Sequence, residues 1–246
     1  MNKAFPVRQS PYLSQRAQLG GVEEIELAPD QIAPGVMIGR AARYFDLSIF
    51  MICAAFVFPR LFFPQFNTTI GLAFAFAVFG VAFVVSPIGA ALFSGVERRY
   101  GRGVKLTSAV FLLCAATALI GLAPGHDAIG PASIGLLVLL RVGQGLALGG
   151  IGDGSAAMLA LGPPVRRRFF SLAGPLGALA GILCAAALMA YFASGISDVE
   201  FVAWGWRYPF IVALAVNVVG LFARMRLMPS ERLGAVYARA GVRPGI

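Results

Sequence analysis

The sequence predicts an all-α integral membrane protein with six transmembrane helices. Of its 246 residues, 59% are hydrophobic and only 13% are charged, whereas soluble domains carry about 25% charged residues. The mean hydropathy is +0.81. Long apolar runs recur along the chain, and lysine and arginine fall in short blocks between them. A water-soluble globular fold is therefore not expected.

Six apolar segments are long enough to cross a bilayer, which needs about 20 mostly apolar residues in a helix. Turn or charge signals separate them. The predicted spans are residues 44–64, 71–95, 106–122, 133–160, 169–193 and 208–227. The fourth segment is longer than the bilayer requires, so we expect it to tilt, bend at its glycines or extend into the cytoplasm.

The basic blocks fix the orientation of the six spans. The N-terminal tail and the blocks after the second, fourth and sixth spans hold most lysines and arginines, and a six-span chain places all of these on one side. By the positive-inside rule both termini face the cytoplasm. The predicted organisation is a cytoplasmic tail (1–40), a six-helix bundle (41–228) and a second cytoplasmic tail (229–246). The net charge of +9 follows from these blocks, so no nucleic-acid partner is expected; the first partner is the lipid bilayer.

The most informative stretch is residues 141–150, RVGQGLALGG. It places Arg141 and Gln144 within an apolar span, where a full charge is costly. Its glycines Gly145, Gly149 and Gly150 are small enough to let membrane helices pack closely. Two interpretations of Arg141 stay open: it lines a cavity and takes part in proton or anion handling with an acid, or it bonds backbone carbonyls and braces the bundle.

Two aspartates are further candidates for proton coupling. Asp46 is predicted at the cytoplasmic start of the first span, where it either accepts from helix-terminal amides or binds a proton. Asp153 lies about 18 Å along the fourth helix from Arg141 at 1.5 Å per residue, so its partner must come from another helix.

The fifth span carries its own set of small residues. A close helix crossing with a bend is predicted there, from the residues Gly174, Pro175, Gly177 and Gly181.

Enzyme chemistry has no support in the sequence. There is no paired-carboxylate site, no nucleophile with a base and no phosphate-binding loop. The three cysteines are far apart and the single histidine lies in a Gly/Pro-rich loop, so neither a metal nor a cofactor is predicted.

Several motifs resemble those of the major facilitator superfamily. The pattern Arg141-x-x-Gln144-Gly145-x-x-x-Gly149-Gly150 is similar to its fourth-span motif. Stretches similar to its metabolite:proton symporter branch are YFD at 44–46 with FPRLFFP at 58–64, AALF at 90–93 leading to YGR at 100–102, and WGWRYPF at 204–210 running on to RMRL at 224–227. They occur in the family's order and cover about residues 40–232.

The resemblance implies a fold of twelve spans in two six-helix halves around a central cavity, of which this sequence matches the N-terminal half. It also implies proton-coupled symport of a small organic metabolite across a bacterial inner membrane. A half-bundle cannot enclose a path alone, so we expect a homodimer mate or a separate second half.

Departures from the family pattern favour an alternative function. The family's loop aspartate is replaced by Arg98, with Glu97 shifted by one position, so Glu97, Arg98, Gly101 and Arg102 form a gating-loop remnant. The acid expected after the paired glycines is Ile151, with Asp153 two residues on. The alternative is a degenerate transporter half that serves as a structural or assembly subunit of a larger respiratory or photosynthetic membrane complex, among other membrane subunits. A truncated, inactive product is a third possibility.

Overall fold

The computed structural model describes residues 29–152 and 172–225, and the regular elements there are helices. They are numbered in chain order and run as follows: α1 Pro29–Phe56, α2 Phe58–Leu61, α3 Thr68–Leu122, α4 His126–Ile129, α5 Ala132–Gly150, α6 Ala173–Gly195, α7 Asp198–Glu200, a π-helical turn Phe201–Gly205, and α8 Arg207–Met225.

The long helix α3 is interrupted at Gly101. This residue has φ +85° and ψ 168°, a conformation that glycine adopts without the penalty of a Cβ atom. Glu97 and Lys105 form an ion pair of 2.6 Å across the break. The non-helical dihedral angles of Gly101 turn the chain at this point. Residues 68–100 and 102–122 are therefore two separate helical segments, α3a and α3b.

Several element boundaries differ from the sequence prediction. The first helix begins at Pro29, not near residue 44, and ends at Phe56, before the short α2. The fourth predicted span, 133–160, is helical only to Gly150; residues 153–171 lie outside the described part of the chain, as do 226–246. An apolar run indicates which part of a helix lies in the bilayer, and it does not indicate where the helix ends. A helix can continue into polar sequence, as α1 does at its N-terminal end.

Close helix approaches organise the bundle. A Cβ on Gly145 would lie 2.7 Å from the Ala82 carbonyl oxygen of α3a. A Cβ on Gly181 of α6 would collide with the Ala41 backbone of α1 in the same way. A Cβ on Gly220 of α8 would lie 2.8 Å from the Cβ of Ala42 in α1. These contacts place α5 against α3, and α6 and α8 against α1.

An aromatic cluster closes one end of the bundle. Trp206 is fully buried and packs edge to face on Phe58 and Phe210, with ring centroids 5.7 Å away in each case. Phe58 makes the same type of contact with Phe50 at 5.1 Å. This cluster ties α1 and α2 to α8, since edge-to-face packing adds stabilisation beyond area burial.

By length and composition, three helices within the described ranges could cross a membrane: α3, α5 and α6. A fourth span results if the segments 198–205 and 207–223, bent by 45°, are counted as one. The outer surfaces carry many exposed large apolar side chains, which is typical of lipid-facing helices. The chain is a multi-pass membrane protein.

Candidate functional site: a buried polar network between four helices

A hydrogen-bonded polar network lies inside the bundle, where α1, α3, α5 and α8 meet. Its side chains are almost completely shielded from solvent and belong to Asp46, Thr117, Arg141, Gln144 and Asn217. Buried polar groups are stable only when they are hydrogen-bonded, and a buried charge is costly unless it is paired. Each of these side chains has at least one partner within the network.

Helix geometry explains how α5 contributes two members. Arg141 and Gln144 are three residues apart, so they share one face of the helix. The guanidinium group of Arg141 donates from Nη1 to Gln144 Oε1 at 2.8 Å. The amide nitrogen of Gln144 in turn donates to the Thr117 hydroxyl at 2.8 Å and lies 3.4 Å from Asp46 Oδ2. One amide group thus connects the cationic and the anionic side chain.

Arg141 is held by other groups besides Gln144. Its Nε and Nη2 both donate to the Phe79 carbonyl oxygen of α3a at 3.3 Å. Its guanidinium carbon lies 3.9 Å from the ring centre of Phe50 and 4.9 Å from that of Phe79. Cation–π contacts are strongest where water is excluded, so the aromatic rings compensate part of the lost hydration.

Asp46 is not at the start of its helix, contrary to the sequence prediction. It lies inside α1, which begins at Pro29, so helix-terminal amides are not its partners. Its Oδ1 accepts from the Thr117 hydroxyl at 2.9 Å and from the Asn217 amide at 3.2 Å. The carboxylate therefore takes its hydrogen bonds from three other helices.

Two members of the network were not predicted from the sequence. Thr117 lies in α3b within LLCAATALI, and Asn217 lies in α8 within VALAVNVVG. Asn217 is an isolated amide in an apolar span, and such residues tend to face the bundle interior. That signal could have identified it. Thr117 gives a weaker signal, since a threonine hydroxyl in a membrane helix can also bond its own backbone.

The other predicted residues lie apart from this network. Glu97 pairs with Lys105 at the Gly101 break, and Arg98 is exposed there with Arg102 half-buried. Asp153 lies outside the described residues.

The predicted packing residues fall at helix contacts of different closeness. Gly145, Gly149 and Gly150 of α5 face α3, and Gly177 and Gly181 of α6 face the α1 backbone, each closer than a Cβ allows. Within the described ranges, a Cβ added at Gly174 would meet only the Arg40 Nε, at 3.9 Å. Pro175 is in the first turn of α6, where a missing N–H breaks no helix bond, so it produces no bend inside the helix.

Charged side chains buried inside a bundle of membrane helices are typical of membrane transport proteins. Residues 43–232 match the family described as Sugar (and other) transporter. The chain belongs to this family of the major facilitator superfamily, whose members are transporters. This confirms the resemblance drawn from the sequence motifs.

Two curated relatives come from Escherichia coli strain K12. The chain is 38% identical to the inner membrane metabolite transport protein YhjE over 196 residues, 79% of this chain and 44% of that protein. It is 36% identical to the shikimate transporter over 193 residues, 78% of this chain and 44% of that protein. The chain therefore spans less than half the length of these relatives.

Solved structures share the fold. A crystal structure of a D-xylose–proton symporter matches with a TM-score of 0.68 at 17% identity, covering 86% of this chain and 51% of that one. An inward-open structure of the xylose transporter XylE from E. coli matches with a TM-score of 0.65 at 17% identity, covering 83% and 49%.

Proposed function

We propose that this chain contributes one six-helix lobe of a proton-coupled transporter for a small organic metabolite, and that a second six-helix lobe completes its path. The observation that carries the proposal is the buried connection from Asp46 through Gln144 to Arg141. In this proposal Asp46 binds and releases the proton. Arg141 is the charged group whose interactions change when the charge of Asp46 changes.

The chemistry of the two charged side chains supports this division of roles. An arginine stays protonated in proteins, whereas a carboxylate becomes neutral by taking one proton. Asp46 and Arg141 are joined through a neutral amide and not by direct contact. The network therefore has two charge states that differ by one proton, and the change occurs where four helices meet. Such a change alters helix contacts, which is what alternating access requires.

We further propose that the bundle crosses the membrane six times with both termini in the cytoplasm of a bacterium. The break at Gly101 divides α3 into segments of about 33 and 21 residues, each of which exceeds the roughly 20 residues a span needs. Arg40, Arg43 and Asp46 place three charges in α1, so its composition alone does not mark it as a span. Other helices nevertheless cover much of α1, and Asp46 is buried. With α5, α6 and α8 the count is six.

The experiment is uptake into liposomes that contain the purified full chain together with any second lobe that copurifies with it. A pH gradient is imposed, and radiolabelled shikimate, proline, betaine and xylose are offered as probes. We expect gradient-dependent accumulation of at least one probe, abolished in Asp46→Asn. The matched control is Asp127→Asn, which changes an exposed aspartate of α4 and leaves uptake intact. Equal loss in both variants, or uptake that ignores the gradient, overturns the proton role.

The second lobe has its own test. Gentle purification from the native membrane should yield a dimer of this chain or a complex with one other six-helix protein. A stoichiometric set of respiratory or photosynthetic subunits, with no uptake in any preparation, would overturn the transport proposal and favour a structural role.

A further inference from the structure

The two oxygens of the Asp46 carboxylate have unequal surroundings. Oδ1 accepts two hydrogen bonds from neutral donors, the Thr117 hydroxyl at 2.9 Å and the Asn217 amide at 3.2 Å. Oδ2 has one longer contact, 3.4 Å to Gln144 Nε2. A carboxylate oxygen offers about two acceptor positions, so those of Oδ1 are used, while Oδ2 retains one.

Thr117 sets the direction of the Gln144 amide. A threonine hydroxyl has a single proton, and here that proton is donated to Asp46. The hydroxyl oxygen can therefore only accept from Gln144, which brings the amide nitrogen to this side at 2.8 Å. The amide oxygen must then face Arg141, as it does at 2.8 Å.

We propose that Asp46 takes its proton on Oδ2, that Thr117 and Asn217 are positioning residues that keep Oδ1 as the acceptor, and that the Gln144 amide passes the change to Arg141. This rests on the proposed function, in which Asp46 is the proton site. The proton comes from the aqueous side and forms an O–H bond at Oδ2; no other covalent bond changes. The proton later leaves Oδ2 toward the opposite side of the membrane.

Protonation at Oδ2 fills the acceptor position that this oxygen retains and removes the negative charge of the carboxylate. The Gln144 amide nitrogen then lies 3.4 Å from a neutral oxygen, and a hydrogen bond to a charged acceptor is roughly twice as strong as one to a neutral acceptor. The contact that links Asp46 to Gln144, and through it to Arg141, is therefore weaker whenever Asp46 is neutral.

Other titratable groups near Asp46 are few among the described residues. Arg141 faces it from α5 through Gln144, and Cys114 lies one turn before Thr117 on α3b. Arg43 precedes it by one turn on α1 itself. The contact from α8 comes from the neutral Asn217.

The test is infrared spectroscopy of the full chain in lipid nanodiscs, as the difference between acid and neutral pH. The carbonyl stretch of protonated Asp46 is assigned by its loss in Asp46→Asn. If Oδ2 carries the proton, the carbonyl oxygen is Oδ1, and Thr117→Val moves the band to higher wavenumber because one of its two hydrogen bonds is lost. Thr117→Ser restores the wild-type position. Asn217→Leu gives a second upward shift and replaces Thr117→Val if that variant does not fold.

The control is Thr107→Val, an exposed threonine ten residues earlier on α3b, which leaves the band in place. An unmoved band in both Thr117→Val and Asn217→Leu overturns the assignment, since the proton is then not on Oδ2. The absence of any Asp46 band overturns both this inference and the proton role. A shifted band without gradient-driven uptake leaves the assignment standing and overturns only the coupling to transport.

Discussion

Replacement of Gly145 by alanine should destabilise the bundle, whereas the same change at Gly135 on the same helix should not. The added Cβ at Gly145 would lie 2.7 Å from the Ala82 carbonyl oxygen and 2.8 Å from its Cα. Ordinary contact starts near 3.4 Å, so α5 and α3a must separate by about 0.7 Å. Overpacking of this kind costs about 1–3 kcal/mol, and a backbone neighbour gives less than a flexible side chain. Among the described residues, a Cβ added at Gly135 would meet no atom outside its own helix backbone within 4 Å, so Gly135→Ala gains about 0.5–1 kcal/mol in helix propensity.

The gain in helix propensity is common to both variants, so their difference isolates the steric cost of about 1–3 kcal/mol. For a chain of this size each kcal/mol moves the midpoint of thermal unfolding by about 2–4 °C. Gly145→Ala should therefore unfold about 2–12 °C below Gly135→Ala. The assay is thermal unfolding in detergent, followed by the loss of the monodisperse peak in size-exclusion chromatography. If the two variants unfold at the same temperature, the close contact between α5 and α3a does not exist as described.

Three further substitutions test neighbouring features by the same assay. Gly177→Ala should lower the unfolding temperature because its Cβ would collide with the α1 backbone. Gly174→Ala should not, since among the described residues its Cβ would meet only the Arg40 Nε, at 3.9 Å; equal effects would contradict this. Asn67→Ala removes the side chain that caps α3 with a 2.9 Å hydrogen bond and should cost about 1 kcal/mol, restored in part by Asn67→Ser. Glu97→Gln breaks the partly exposed ion pair with Lys105 and should lower the free energy of unfolding by less than about 1 kcal/mol. This effect should disappear at about 1 M salt. A larger loss that persists in salt would mean that the ion pair, and not Gly101, maintains the turn.

The sequence was sufficient to predict the helical membrane fold, because apolar run length and the placement of basic blocks are direct consequences of the bilayer. It was less informative about helix ends. Nothing in a hydropathy pattern shows that α1 begins at Pro29, since the residues before the apolar run are polar enough for water yet still compatible with a helix. The break at Gly101 has a clearer signal, a glycine within a cluster of charges.

The sequence identified some members of the buried polar network and missed others. Arg141 and Gln144 are conspicuous because their spacing places them on one face of a helix in an apolar span. Asp46 was recognised as a candidate, but its partners were not, because the contact with Thr117 joins positions 71 residues apart and that with Asn217 joins positions 171 apart. Such contacts depend on how whole helices pack, and a single sequence carries no direct signal of which faces meet.

The packing glycines and the polar network cannot be treated as separate features. Gly145 follows Gln144 directly, and its close approach to Ala82 brings α5 near the Phe79 carbonyl, one turn away, that accepts from Arg141. Gly220 lies one turn beyond Asn217 and faces Ala42, one turn before Asp46. A larger residue at either glycine would move donors away from acceptors over distances of 2.8–3.4 Å, where hydrogen bonds weaken steeply. The small residues at these helix contacts therefore also set the geometry of the charged groups.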